Sequence, residues 1–354
     1  MSLWVDKHRP HTLQSLSFHA EISHRLLSLA SSGDFPHLLV YGPSGAGKKT
    51  RVLALLNQLY GAGVLKMKID VRTFATASNK KLEFNVVSSP YHLEITPSDL
   101  GNNDRVVIQD LLKEIAQTEQ VDFNTGKHRF KVVVINEAES LSRDAQAALR
   151  RTMEKYSRNI RLVLVSNTTS NIIAPIKSRT LLVRVPAPSS SEIADVLEKV
   201  SQLQDVSIVE SEDERRVIFE SIAETSKRNL RRALLLFEAM SMHNDVLQAD
   251  TPVITLDWEG VIQKLAVGIF KERTVSRISQ SRTVLYELLS HCIPAKIILK
   301  SLLLELLKLV NDRAKVAVVE LASVFDERLS LGNKSIYHLE GFVAKSMVAI
   351  ENSI

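Results

Sequence analysis

HLLVYGPSGAGKKT, residues 37–50, decides how this chain is to be read. A short apolar run, LLVY, ends in a glycine-rich turn and opens an amphipathic stretch, KKTRVLALLNQLYG. That order predicts strand, turn and helix. Such a turn aims backbone N–H groups at phosphate oxygens, and a lysine at its end adds a point charge near the outer phosphates. Gly42, Gly47 and Lys48 carry the GxxxxGK match, with Pro43, Ser44, Gly45 and Ala46 between them, and together they predict a nucleotide-binding loop. The next residue departs from the pattern. Lys49 stands where a serine or threonine hydroxyl normally holds a divalent metal ion, and Thr50 is turned a further roughly 100° around the helix, a poor position from which to replace it.

Working outward, KVVVINEAE (131–139), RLVLVSN (161–167) and LLVRV (181–185) read as further buried strands of a parallel sheet with crossover helices. A phosphate loop of this kind is completed by an apolar strand ending in Asp-Glu, the Asp oriented toward magnesium and the Glu activating water. Here the strand ends in Asn136 and Glu137. Asn keeps the shape of Asp without its charge, so the fold would scarcely notice while the metal would lose an anionic partner. Lys49 and Asn136 thus weaken one function, magnesium-assisted hydrolysis, and leave the cradle from Gly42 to Lys48 intact.

Between the first two strands, KLEFNVVSSPYHLEITPSD (81–99) has period-two patches that suggest an inserted strand pair. The break PAPSSSE (186–192) looks like a helix cap, and the text beyond it is helical in period. We therefore expect a nucleotide-binding domain over 1–185, a small helical domain over 186–244, and an all-helical unit over 245–354, entered through the turn-rich MHNDVLQADTPVITLDWEG. In that last unit, SRTVLYELLSHCIPAKIILKSLLLELLKLV (281–310) is apolar over more than one helix face. Filling its own core and packing on other subunits both remain open.

Length and composition bound the rest. At 354 residues, two or three domains are expected. An excess of 45 Lys and Arg over 40 Asp and Glu permits contact with nucleic acid without demonstrating it. With Cys292 the sole cysteine, the chain builds neither an internal disulfide nor a cysteine zinc cage, and no metal site is expected. The opening MSLWVDKHRPHTL lacks an apolar signal core, and the greasiest run is interrupted by Lys300, Glu305 and Lys308, so a soluble intracellular protein is expected, with no membrane partner.

WVDKHRP (4–10), GPSGAGKK, NEAESLSRDAQAALRRTMEKY (136–156), the Asn of LVLVSN and IKSRT (176–180) together resemble the small subunits of replication factor C, the eukaryotic sliding-clamp loader. The likeness spans nearly the whole chain and is greatest to the small subunit whose phosphate loop and acidic strand are degenerate. It implies an α/β AAA+ P-loop domain, a helical lid and an all-α collar that joins five subunits in an open ring, with nucleotide at subunit boundaries. It also implies bound ADP or ATP, partners comprising the other subunits, a PCNA-type sliding clamp and primer-template DNA, work in replication and repair, and a nuclear location.

By the same resemblance Val5, Arg9 and Pro10 would line the adenine side of the pocket. Asn167 matches a sensor at a strand end and Arg231 of NLRRAL a second sensor reaching from the lid. IKSRT matches a Ser-Arg-Cys signature with Thr180 in place of cysteine, which makes Arg179 an arginine finger supplied to an adjoining subunit. Arg105 is the expected DNA contact, while Gln109 and Asn171 stand where basic residues would be expected, implying a weak grip. The stripe Leu141, Ala145, Ala148, Leu149 and Met153 marks a core-facing helix, with Arg150 and Arg151 outside it. Two rivals stand beside this reading. One is an active AAA+ ATPase of another DNA-associated assembly that tolerates Lys49 and Asn136; the other is a phosphoryl-transfer enzyme on the same loop, which leaves IKSRT unexplained.

Overall fold

The structure is a computed structural model that describes residues 2–75, 81–117, 130–208, 211–244, 246–248, 251–254 and 256–352. Residues 245, 249–250 and 255 of the expected connector lie outside the described residues. The chain divides into two compact units, Met1–Val253 and Ile254–Ile354.

In the first unit, α1 (Trp4–Lys7) and α2 (Ala20–Ser31) precede β1 (Leu38–Tyr41) and α3 (Lys48–Tyr60). Then come β2 (Lys68–Ala75), β3 (Lys81–Ser88), β4 (His92–Ile95), α4 (Asp104–Gln117), β5 (Lys131–Ile135), α5 (Arg143–Lys155), β6 (Ile160–Ser166), α6 (Ala174–Lys177) and β7 (Leu181–Arg184). Three helices, α7 (Ser190–Leu203), α8 (Glu212–Thr225) and α9 (Leu230–His243), complete the unit. The strands form one sheet in the order β2-β3-β4-β5-β6-β1-β7. From β4 to β7 every pairing is parallel, while β2, β3 and β4 pair antiparallel at one edge.

The alternation of side chains along each strand sorts the two cores. Leu39, Leu93, Ile95, Val133 and Ile135 pack with Ile108 and Leu112 of α4 and Ala145 and Leu149 of α5. Leu38, Val40, Val132, Val134 and Val163 pack with Leu26 of α2 and Val52, Leu55 and Leu56 of α3. Each such side chain, fully buried, contributes roughly 2 kcal/mol. The expected stripe on α5 is buried as read, and Ser142 caps that helix by accepting the Ala145 N–H at 3.1 Å. Ser189 and Glu192 form the reciprocal capping box that starts α7.

The strand pair expected in 81–99 is present as β3 and β4, and β4 also joins the parallel sheet with His92 opposite Val132 and Glu94 opposite Val134. Two strand readings need correction. Strand β2, which sequence reading missed, mixes Lys68, Asp70 and Arg72 with exposed Ile69 and Val71, so its apolar content resembled a loop's. Strand β7 is not buried. It is an edge strand on which Leu181 and Leu182 are exposed, since among the described residues no strand lies beyond it.

The second unit holds α10 (Asp257–Lys271), α11 (Val275–Ser290), α12 (Ala295–Leu309), α13 (Asp312–Leu331) and α14 (Ser335–Glu351). Pro294 caps α12 and splits the long apolar stretch in two. Ile298, Leu299, Leu302 and Leu306 fill this unit's own core against Phe325 and Phe342, while Ile297 and Leu304 are exposed. No helix among the described residues is long and apolar enough to cross a membrane.

Candidate functional site

The turn between β1 and α3 owes its shape to glycine. Gly45 has φ +75°, and a Cβ there would fall 1.7 Å from the Asn229 side chain, so only glycine lets this loop meet the start of α9. Asn229 in turn caps α9, its Oδ1 accepting the Arg232 N–H at 3.2 Å. Gly42 is equally constrained, because a Cβ would lie 1.8 Å from the Val185 carbonyl.

Around this turn lies a cavity of about 290 Å³. Its wall includes Ser44, Gly45, Gly47, Lys48, Lys49 and Thr50 from the loop and α3. Asn136 and Glu137 reach it from the end of β5, Asn167 from the end of β6, Arg231 from α9, and Val5, Arg9 and Pro10 from the N-terminal segment. Gly42, Pro43 and Ala46 shape the loop without lining the cavity. The N-terminal segment is held there by α9. The Trp4 N–H donates to Glu238 at 3.1 Å, and the Trp4 ring meets Phe237 edge-on at 5.5 Å.

The two adjacent lysines are used differently. Lys48 is buried, and its ammonium donates to the carbonyls of Gly42 (2.7 Å) and Pro43 (2.8 Å) and to Asn167 Oδ1 (2.9 Å). Burial lowers its pKa, Glu139 pulls it back up, and Arg231 lowers it further. Lys49 instead lies 2.5 Å from Glu94 Oε2 on β4, a carboxylate only 2% exposed. Thr50, expected among the nucleotide-binding residues, also lines the cavity.

Several residues at the site escaped sequence reading. Glu139 accepts from Asn167 Nδ2 at 2.7 Å and so fixes the amide whose oxygen holds Lys48. Glu137, which the sequence did show at the end of its strand, sits at φ +51° and accepts from Ser98 Oγ at 2.9 Å. Arg51 points inward beneath the loop, donates to the Phe18 carbonyl at 2.8 Å, and packs 4.6 Å over the Phe18 ring, which lines the cavity. Burial pulls the Arg51 guanidinium down to about 10, still charged at neutral pH. Glu139 was visible in NEAE, but Phe18, Arg51 and Glu94 are brought in only by the fold.

Arg179 does not reach this cavity. It follows α6 and lines a separate groove with Asp34, Phe35, His37, Arg158 and Arg161. Its guanidinium donates to the Pro175 carbonyl at 2.9 Å and pairs with Glu154 of α5 at 2.7 Å. Thr180 donates to the Ile176 carbonyl at 3.0 Å, a contact that asks nothing of a thiol. Arg105, on α4, is also away from the cavity and lies 3.8 Å from Asp144. Asn171 faces Glu139 and Gln146.

Comparison with known proteins bears on this arrangement. Residues 258–354 match the family described as "Replication factor C subunit 3, C-terminal domain", residues 195–242 the "RCF1/5-like, AAA+ ATPase lid domain", and residues 19–189 "DNA polymerase III, delta subunit". The chain is 58% identical to replication factor C subunit 5 of Neurospora crassa, over 99% of this chain and 98% of that one. It is 56% identical to subunit 5 of Saccharomyces cerevisiae, over 99% and 100%. With human replication factor C subunit 3 the identity is 49%, over 98% and 96%. A solved RuvB structure from Thermotoga maritima matches the fold with a TM-score of 0.51 at 16% identity, over 74% of this chain and 80% of that one. A phosphate loop on a parallel sheet, a lid matched by its own family model, and end-to-end identity to these subunits lead to one conclusion: the chain belongs to the replication factor C subunit family, with an AAA+ nucleotide-binding fold.

Proposed function

We propose that this chain is a clamp-loader subunit in DNA replication that holds ADP or ATP with little or no turnover and lends Arg179 to the active site of an adjoining subunit. The observation that carries the reading is the split between two places. The cradle around Lys48 is built, whereas the side chains that would tether magnesium are Lys49, paired with Glu94, and Asn136, an uncharged amide. An ammonium and an amide in place of a hydroxyl and a carboxylate form a poor donor set for a hard dication. Arg179 lies outside its own chain's cavity and is partly exposed, which supports a role at another subunit's site.

Within this reading Val5, Arg9 and Pro10 flank the base, Asn167 and Arg231 approach the phosphates, and Arg105 offers a weak contact to primer-template backbone. The chain would work in a nuclear hetero-pentamer that opens a PCNA-type clamp and loads it onto DNA, in repair as well as replication. Residues 1–185 would form the sheet domain, 186–244 the lid and 245–354 the collar.

The test is applied to the purified full chain. Denaturing release should yield a tightly retained nucleotide, and added ATP with magnesium should remain uncleaved. Thr50 and Glu137 in the cavity wall favour an active ATPase. Ready magnesium-dependent turnover by the isolated chain would establish that rival instead.

A further inference from the structure

Strand β4 carries an anomaly of its own. Leu93 and Ile95 pack in the core beneath α4 and α5, which turns His92 and Glu94 to the opposite face, in register with Val132 and Val134 of the α2 and α3 layer. Where β1 and β5 present leucine and valine on this face, β4 presents histidine and glutamate, 0% and 3% exposed. A buried carboxylate is costly unless it is paired. Glu94 Oε2 has Lys49 at 2.5 Å, while Oε1 has no hydrogen-bond partner and lies 3.8 Å from His92 Nε2. His92 Nδ1 is tied to Ser89 Oγ at 2.6 Å.

Burial alone would raise the Glu94 pKa, but His92 and Lys49 together more than offset it and leave the group below the usual carboxylate range. The carboxylate is thus held as an anion by His92 together with Lys49, the residue that interrupts the phosphate-loop pattern. Lys49 and Glu94 depend on each other, and a loop change considered alone misses half of the device.

We propose that Glu94 is a positioning residue of the nucleotide site, acting through Lys49. The carboxylate fixes the ammonium in the cavity wall as a built-in, charge-compensated cation, so that nucleotide binding is indifferent to divalent metal. The proposal rests on the reading of the site as one that holds nucleotide without magnesium. It adds a residue on another strand and a sign that can be measured. Removing the ammonium leaves an uncompensated anion beside the phosphates; removing the carboxylate leaves an uncompensated cation.

The two halves of the pair should therefore act in opposite directions. A fluorescent ADP analogue is titrated into the full chain in EDTA and again in magnesium. The wild type should bind with nearly equal affinity in both. Lys49→Ser should weaken binding in EDTA about tenfold, the worth of one charge-assisted contact, and magnesium should restore much of it. Glu94→Gln should instead tighten binding in EDTA several-fold, with little response to magnesium. The double variant K49S/E94Q, which removes both charges, should return near to the wild type; it also keeps the test open should Lys49→Ser fold poorly.

A merely structural role for the pair predicts the same sign for both single variants, or no change in either. That result overturns the proposal while leaving the function proposed above untouched. A wild type that needs magnesium to bind overturns both.

Discussion

The cavity around Lys48 and the groove around Arg179 belong to one unit, yet they handle positive charge in opposite ways. In the cavity both lysines are engaged by the chain itself, Lys48 by two carbonyls and Asn167, Lys49 by Glu94. In the groove Arg179 is held by Glu154, a side chain 46% exposed, through a contact that water and another protein can compete for. Positive charge that is committed internally suits retention. Positive charge parked on a surface carboxylate suits donation.

The largest expected effect falls on the groove. Arg179→Ala in the reconstituted complex should cut turnover at the adjoining site by roughly a thousandfold, the usual worth of an arginine finger, without changing nucleotide retention by this chain. ATP hydrolysis and nucleotide content, measured on the same preparation, check both halves. If turnover at that site is unaffected, Arg179 is a surface ion pair and the comparison loses one side.

The cavity should answer in reverse. Lys48→Ala should lower nucleotide affinity of this chain by about a hundredfold, since a charged donor to phosphate is lost, yet leave turnover of the complex within about twofold. Equilibrium binding and hydrolysis measured side by side would expose any catalytic role.

The next effect is on stability. Lys49→Ala strands the Glu94 carboxylate and should cost about 2 kcal/mol, less than the roughly 3–5 kcal/mol of a fully buried pair because the Lys49 side chain is 38% exposed. The folded-state pKa of Glu94 is depressed, so its contribution is fully present above the unfolded carboxylate value and is lost as pH falls through the folded one. Denaturant melts down an acid series should show that loss in the wild type and not in Glu94→Gln. The smallest effect is expected from Thr180→Cys, which should leave melting and complex turnover unchanged because its hydroxyl serves only local backbone carbonyls, those of Ile176 and Lys177.

How far these features could be read beforehand depended on where their determinants lie. Gly42 to Lys48 is a local pattern with local geometry, so the phosphate loop was legible from one stretch. The convergence of Val5, Arg9, Asn136, Asn167 and Arg231 on one cavity followed from family resemblance, not from spacing. Glu94 was invisible because its meaning lies in the register of β4 with β5 and in a contact across 45 residues of sequence to Lys49. Glu154 was hidden in the same way, as one more charge on an exposed helix face until α6 placed Arg179 beside it. Strands β2 and β7 were misjudged because period and apolarity describe a strand's own residues and say nothing of whether another element covers it.

The most direct test is an experimental structure of the full chain with ATP and magnesium supplied together. The account predicts phosphates seated on the loop at Lys48, Lys49 still against Glu94, and no ordered metal ion. A magnesium ion coordinated by Thr50 and Asn136, with Lys49 turned away from Glu94, would contradict it.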